Sequence, residues 1–408
     1  MRELIVTGAV MLALGLAGEA LLRTAHVQYD ASLYTGDPQR GWALRPGAKG
    51  WVMDEAKQYV RINRAGFRDC ERRIEKPART MRIAVLGNSW TEALQVPLES
   101  TFSAVMEREL ARCAVASGNR VEVLNFGTSG YSSAQELLTL RLEVWKYHPD
   151  IVVLAFYTAR DVLNNVRAFN NAESPEQSPY FVYTNGRLVL DDSFRKLPEL
   201  QPMQIRLQNL RETVSDHLLL FRTATAIVRH ARERAARDTS AGKAAENGVD
   251  NFEKLIYYAP RQSSIEEAWR VTEGLIVAMR DEARGHGAAF RVVTLATRAQ
   301  VLPDSAQRRE FMRRLGVENL DYADMRLRAL AVREGFPITI LAKPLGDFAA
   351  MHHLFLNGFE TKLGEGHWNE LGHRLAGEQI AADLSAEVCG NGTPSLQHAL
   401  ASLPARAQ

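Results

Sequence analysis

Five short apolar runs punctuate the chain: residues 82–86, 121–124, 151–156, 290–295 and 338–341, the first stopping at Gly87 and the third reading Ile-Val-Val-Leu-Ala-Phe. Runs of four to six β-branched and apolar residues, each bounded by turn residues, are the signature of strands buried on both faces. Between them the period changes. Residues 100–113 carry Phe102, Val105, Met106 and Leu110 on one helical face, residues 134–147 read as a second helix, and residues 265–286 as a third. A further helix runs from after His367 to about Val388. Strand–helix alternation of this kind predicts an α/β fold with a central parallel sheet and right-handed crossovers.

Two stretches break the alternation. Residues 26–80 precede the first catalytic-type strand and contain Pro46-Gly47, Gly50-Trp51, the alternating Tyr59-Val60-Arg61-Ile62-Asn63 and a turn at Arg64-Ala65-Gly66, so a small β-rich extension is expected. Residues 167–260 form an insertion. It opens with a hairpin pattern at 180–190 turning on Asn185-Gly186, and continues with Leu207, Leu210, Val214, Leu218 and Phe221 at helical spacing. Residues 231–251 are poor in large apolar side chains and read as a loop or frayed helix. This insertion follows the third strand, where it serves either as a lid over the site or as a structural decoration. The main domain is expected over 81–388, and the tail 389–408 is Ser-, Pro- and Ala-containing and expected to lack order.

The amino terminus is apolar and uncharged from Leu4 to Gly18, continuing past Glu19 to Arg23 after a short segment containing Arg2. Residues 1–25 therefore read as an uncleaved membrane anchor or, with Gly18-Glu19-Ala20 as a passable cleavage site, as a signal peptide. Either one puts the body outside the cytoplasm, in the periplasm of a bacterium. A buried helix of a soluble protein is the plain alternative.

The candidate chemistry sits at strand ends. Ser89 lies in Gly87-Asn88-Ser89-Trp90-Thr91 directly after the first strand, and His367 lies in Glu365-Gly366-His367-Trp368-Asn369 at the start of the last helix. A nucleophilic serine needs a base for its proton, and a late histidine on a turn can supply it once the fold closes. Two further blocks fall between them: Asn125-Phe126-Gly127-Thr128-Ser129-Gly130 after the second strand, and Thr158-Ala159-Arg160-Asp161 after the third.

In their order and strand-end positions these blocks resemble the SGNH, or GDSL-like, hydrolases over roughly residues 59–384. The resemblance implies a three-layer, flavodoxin-like sandwich with Ser89 as nucleophile and His367 as base. It implies Glu365, two residues before the histidine, as the acid partner, and an oxyanion hole made by the N–H groups of Ser89 and Gly130. Arg160 stands where that family has an asparagine. It either replaces the missing donor or cripples the hole, and Asn164 or Asn165, one turn on, are alternative donors. Asn88 replaces the usual aspartate; it and Asn164 are candidates for touching substrate. The expected activity is hydrolysis of an acylated carbohydrate or lipid. Acyl transfer to a polysaccharide, or a non-catalytic glycan- or anion-binding role through Arg160, are the alternatives.

Composition narrows this further. The 408 residues carry 50 Lys and Arg against 48 Asp and Glu, mixed along the chain, so no basic stripe points to nucleic acid. No Cys-x-x-Cys or His-Glu-x-x-His pattern occurs, His352 and His353 lack partners at metal-ligand spacing, and neither a metal nor an organic cofactor is expected. His373 reads as a surface or core polar residue. Three cysteines make no disulfide framework. Cys113 and Cys389 each end a predicted helix beside the sheet and would pair in an oxidising compartment, buried free thiols being the simpler alternative. Oligomeric state is open.

Overall fold

The computed structural model describes residues 2–25, 30–115, 118–170, 175–225, 227–228 and 254–389. The expected loop at 231–251 and nearly all of the expected tail lie outside these residues. Five parallel strands form the central sheet: β5 (Thr80–Gly87), β6 (Arg120–Asn125), β7 (Ile151–Tyr157), β10 (Ala289–Leu295) and β11 (Ile338–Ile340), in the spatial order β11-β10-β7-β5-β6. The order reverses at β5 and β7, so a crevice opens at their carboxyl ends, where open α/β sheets bind ligands. Ser89 follows β5 there.

The strands are buried on both faces, which is why they read as continuous apolar runs. Ala84, Leu86, Val152, Leu154 and Phe156 face one layer, made of α4 (Ser133–Leu142), α7 (Ser263–Gly285) and α9 (Tyr322–Glu334). Ile83, Val85, Val153, Ala155 and Val293 face the other, made of α3 (Phe102–Ala114), α10 (Ala342–His352) and α11 (Glu370–Cys389). Cys113 and Cys389 are joined in a disulfide that ties the ends of α3 and α11. His373 on α11 is buried, not at the surface: its Nδ1 accepts the Phe102 N–H at 3.3 Å, and burial lowers its pKa to about 3.

The extension holds two antiparallel pairs, β1 (Tyr34–Asp37) with β2 (Gly41–Leu44) and β3 (Lys49–Val52) with β4 (Gln58–Arg61). They share a small core of Leu33, Leu44, Ala48, Val60 and Ile62 that Leu94 joins from the main domain. In the insertion the expected hairpin forms as β8 (Tyr180–Thr184) and β9 (Arg187–Asp191), with Asn185 and Gly186 both at positive φ. Its Tyr183 and Leu188 pack against Gly274 of α7. The helix that follows, α6 (Pro202–His217), ends at an extended Leu218. Helices α8 (Ser305–Leu315), α9 and α10 fill a stretch that sequence periodicity had not divided. Helix α1 (Arg2–Thr24) is mostly exposed between Ile5 and Thr24, and its residues Ile5–Thr24, with mean hydropathy 2.0, are long and apolar enough to cross a membrane.

Candidate active site

The site is built from a turn that only glycine permits. A Cβ on Gly87 would lie 2.1 Å from Thr91 Oγ1 and 3.1 Å from the Ala155 carbonyl oxygen, so β5 can run straight into the one-turn helix α2 (Ser89–Glu92) only without a side chain there. Asn88 caps that turn. Its Oδ1 accepts the Trp90 N–H at 3.1 Å, while its Nδ2 donates to Asp161 Oδ1 at 2.7 Å. The second bond suits the asparagine: an aspartate at 88 would set a second carboxylate against Asp161 where the amide now donates. Both ends of the Asn88 amide are thus engaged within the protein, where they hold the turn.

Asp161 is fully buried and its other oxygen accepts the Tyr157 N–H at 2.7 Å. Burial pushes its carboxyl up to about 7, against the pull of Tyr157, Asn88 and Arg160. Glu136, buried nearby on α4, has no close hydrogen bond to either carboxylate oxygen among the described residues, and the Ser133 hydroxyl beside it only eases the burial penalty. Its pKa is raised, first by burial and then by the charge of Asp161.

Three groups line up at the head of α2. Ser89 Oγ lies 2.8 Å from His367 Nε2, and His367 Nδ1 lies 2.8 Å from Glu55 Oε1. Since a carboxylate can only accept, Nδ1 carries the proton and Nε2 presents its lone pair to the serine hydroxyl. Glu55 Oε2 also accepts the His367 N–H at 2.7 Å, so one carboxylate fixes both ring and backbone. Burial raises the Glu55 pKa, but the hydrogen bond and charge of His367, with help from Arg298, outweigh it and hold the group below its ordinary value. Trp90 packs on the imidazole at 5.0 Å between ring centroids and stacks on Tyr157 at 4.5 Å.

The acid partner is expected at Glu365, whereas the carboxylate that the structure brings to the His367 ring is that of Glu55. Glu365 is exposed, and no hydrogen bond among the described residues joins it to His367. The reason is Gly366, whose φ of 64° turns the chain between the two residues. That turn brings Glu55 so near that a Cβ on Gly366 would fall 2.3 Å from Glu55 Oε2. Glu55 itself sits in the bend between β3 and β4, in a polar Asp54-Glu55 pair that looks like any solvated hairpin tip. Nothing in its local sequence marks it.

The extension reaches the site at three more points. Tyr34 donates to the Glu92 carboxylate at 2.9 Å, and the same buried carboxylate accepts the Ser129 N–H at 2.6 Å and the Ser129 hydroxyl. Trp42 Nε1 donates to the Ser129 carbonyl at 2.9 Å, and its ring lies against Gly130. Buried Arg68 donates to the carbonyl oxygens of Glu92, Ala93 and Val96, just past α2. Gly130, at φ 78°, is therefore held from both sides by side chains of the extension and of α2.

The other expected residues divide. Arg160 is half-buried at the head of the one-turn helix α5 (Asp161–Asn164), its carbonyl accepting the Asn164 N–H at 2.9 Å. Asn164 is buried beside it. Asn165 is committed elsewhere: it accepts the Ala134 N–H and donates to Thr272, bridging α4 and α7. No group of three or more His, Cys, Asp or Glu side chains suited to a metal occurs among the described residues.

Fold and site together describe an α/β protein with a hydrogen-bonded Ser–His–Glu relay at the switch point of its sheet. Among solved structures the chain is similar to an acetyl xylan esterase, at 13% identity and TM-score 0.36, over 74% of this chain and 100% of that one. It is also similar to a GDSL-like lipase from Bacteroides thetaiotaomicron, at 14% identity and TM-score 0.30, over 75% of this chain and 88% of that one. A two-domain esterase active on acetylated mannans is similar at 11% identity and TM-score 0.38, over 78% of this chain and 51% of that one. No family profile matches the chain, and no curated protein matches it. The structural likenesses are distant and carry no argument about activity, which has to rest on the geometry of Ser89, His367 and Glu55.

Proposed function

We propose that this protein is a serine-dependent ester hydrolase in which Ser89 is the nucleophile, His367 the general base and acid, and Glu55 the carboxylate that orients the imidazole. The observation that carries the reading is the unbroken chain Ser89 Oγ–His367 Nε2 and His367 Nδ1–Glu55 Oε1, both 2.8 Å. As Oγ attacks an ester carbonyl, its proton passes to Nε2, and Glu55 stabilises the imidazolium. The depressed pKa of Glu55 suits that role, because the group must be ionised when the charge forms. The tetrahedral oxyanion is assigned to the N–H groups of Ser89 and Gly130, with Arg160 or Asn164 as third donor. Collapse returns the proton from Nε2 to the departing alcohol. Water, deprotonated by His367, then releases the acid and restores Ser89.

The substrate class is an acylated carbohydrate or lipid outside the cytoplasm, as the block pattern and the apolar amino terminus suggest. The test is intact-mass analysis of the full-length protein in detergent after exposure to a fluorophosphonate. One adduct that maps to Ser89, and that is lost in His367→Ala and strongly slowed in Glu55→Gln, supports the relay. Well-folded protein that takes up no adduct refutes it and favours a glycan- or anion-binding role.

A further inference from the structure

Helix α6 packs lightly on the body and leaves large apolar side chains outward. Toward the body it sets Ile205, which with Leu200 covers Gly36 of β1, together with Asp216, whose carboxylate pairs with Arg45 at 2.7 Å, and buried Ser215. Outward it sets Met203, Leu207 and Leu210, which are 62%, 51% and 62% exposed and spaced i, i+4, i+7. The stripe continues past the end of α6 through Leu218 and Phe221, also exposed. A contiguous apolar face of this kind marks an interaction surface.

What covers it is indicated by its neighbour. Where α6 ends, the chain meets the last turns of α1: Glu19 accepts the N–H groups of Leu219 at 3.1 Å and Leu220 at 2.8 Å, and Arg23 donates to the His217 carbonyl at 2.8 Å. Glu19 and Arg23 also pair with each other. A carboxylate on a largely apolar helix is tolerated where that helix meets the interface, and the end of the stripe, at Leu218 and Phe221, adjoins this knot. Arg206 and Arg211, exposed on the same helix, supply the positive charge that anionic headgroups attract.

We propose that the outward face of residues 203–221 lies on the lipid surface beside a membrane-inserted α1, clamping the body to the bilayer. Because α6 is fastened to β1, the extension that carries Glu55 is drawn to the membrane with it.

The test uses the full-length protein in vesicles of phosphatidylcholine and phosphatidylglycerol. With Cys70→Ser removing the free thiol and the Cys113–Cys389 disulfide left oxidised, Leu207→Cys and Leu210→Cys are labelled in separate variants with an environment-sensitive fluorophore. Val332→Cys, 80% exposed on α9, serves as control. The expected result is a blue-shifted emission at 207 and 210, quenched by bilayer-borne nitroxide lipid at least threefold more than at 332. Equal quenching at all three positions overturns the proposal. Blue-shifted emission that lipid nitroxides leave untouched, but that varies with protein density in the vesicle, also overturns it and assigns the face to a second copy of the chain.

Discussion

The parallel-sheet domain and the β-rich extension contribute to one site by different physical routes. The sheet domain places Ser89 and His367 through its topology: a strand end at a switch point, a glycine turn, and a loop entering the last helix. The extension has a core of only a few side chains, yet it delivers Glu55 to His367, Tyr34 to Glu92, Trp42 to Ser129 and Gly130, and Arg68 to the end of α2. On the proposed reading one region supplies the reacting atoms and the other holds them in register, so removing the extension would take away the proposed acid Glu55 along with the packing.

Breaking the sheet domain's share of the site should have the largest effect. Ser89→Ala is expected to lower kcat for a short-chain aryl ester by roughly 10⁶, the scale on which a lost nucleophile is felt, as read by initial rates. The sharpest division between the regions is next: Glu55→Gln is expected to cost about 10⁴ in kcat, because an amide can hold the imidazole in the wrong tautomer. Glu365→Gln, in the same assay, should stay within about twofold of the parent. If the two results exchange, the acid belongs to the sheet domain and the comparison fails.

A smaller loss follows from the extension's grip on the Gly130 loop. Trp42→Phe keeps the ring but removes the bond to the Ser129 carbonyl, and about 1 kcal/mol for one hydrogen bond predicts a fall of about fivefold in kcat with KM little changed. A fall confined to KM would mean that Trp42 meets substrate rather than positioning the loop.

The smallest effect concerns stability. Asp161 and Glu136 have folded-state pKa values raised by burial, Asp161 to about 7, so the folded protein holds protons that the unfolded chain gives up. Their contribution is complete below the ordinary carboxylate range and is lost as pH rises, that of Asp161 through about 7. Melting temperature should therefore decline between pH 5 and pH 8, and Glu136→Gln should flatten that decline by roughly 2–8 °C in a thermal melt. A variant as pH-sensitive as the parent would remove Glu136 from the account.

The strands and helices that could be read from the chain were those whose burial is simplest. Strands β5, β7 and β10 are covered on both faces, so their apolar runs stand out, and α3 and α7 carry a clear apolar stripe. Helices α8 to α10 were not separable. The first is polar nearly all round and the others have short buried faces, so period alone does not set their limits.

Within the site, Ser89 and His367 were legible because each lies in a block whose turn residues serve its own position. Asn88 was visible as a departure from the usual aspartate, but its cause, Asp161, is 73 residues away. Glu55 was invisible for a stronger version of the same reason. It lies 312 residues from His367 in a turn of ordinary polarity, and only the docking of the extension beneath the Gly366 bend gives it a partner.

The sequence by itself determined the elements whose physics is local: apolar runs that must be buried, a glycine turn that exposes a hydroxyl, and an amino-terminal stretch long and apolar enough to cross a membrane. Tertiary structure decided which carboxylate meets the imidazole, which side chains brace the Gly130 loop, and which face of α6 is left outward. Those are questions of long-range proximity, and a hydrogen bond of 2.8 Å depends on where two distant segments dock, which neither segment encodes alone.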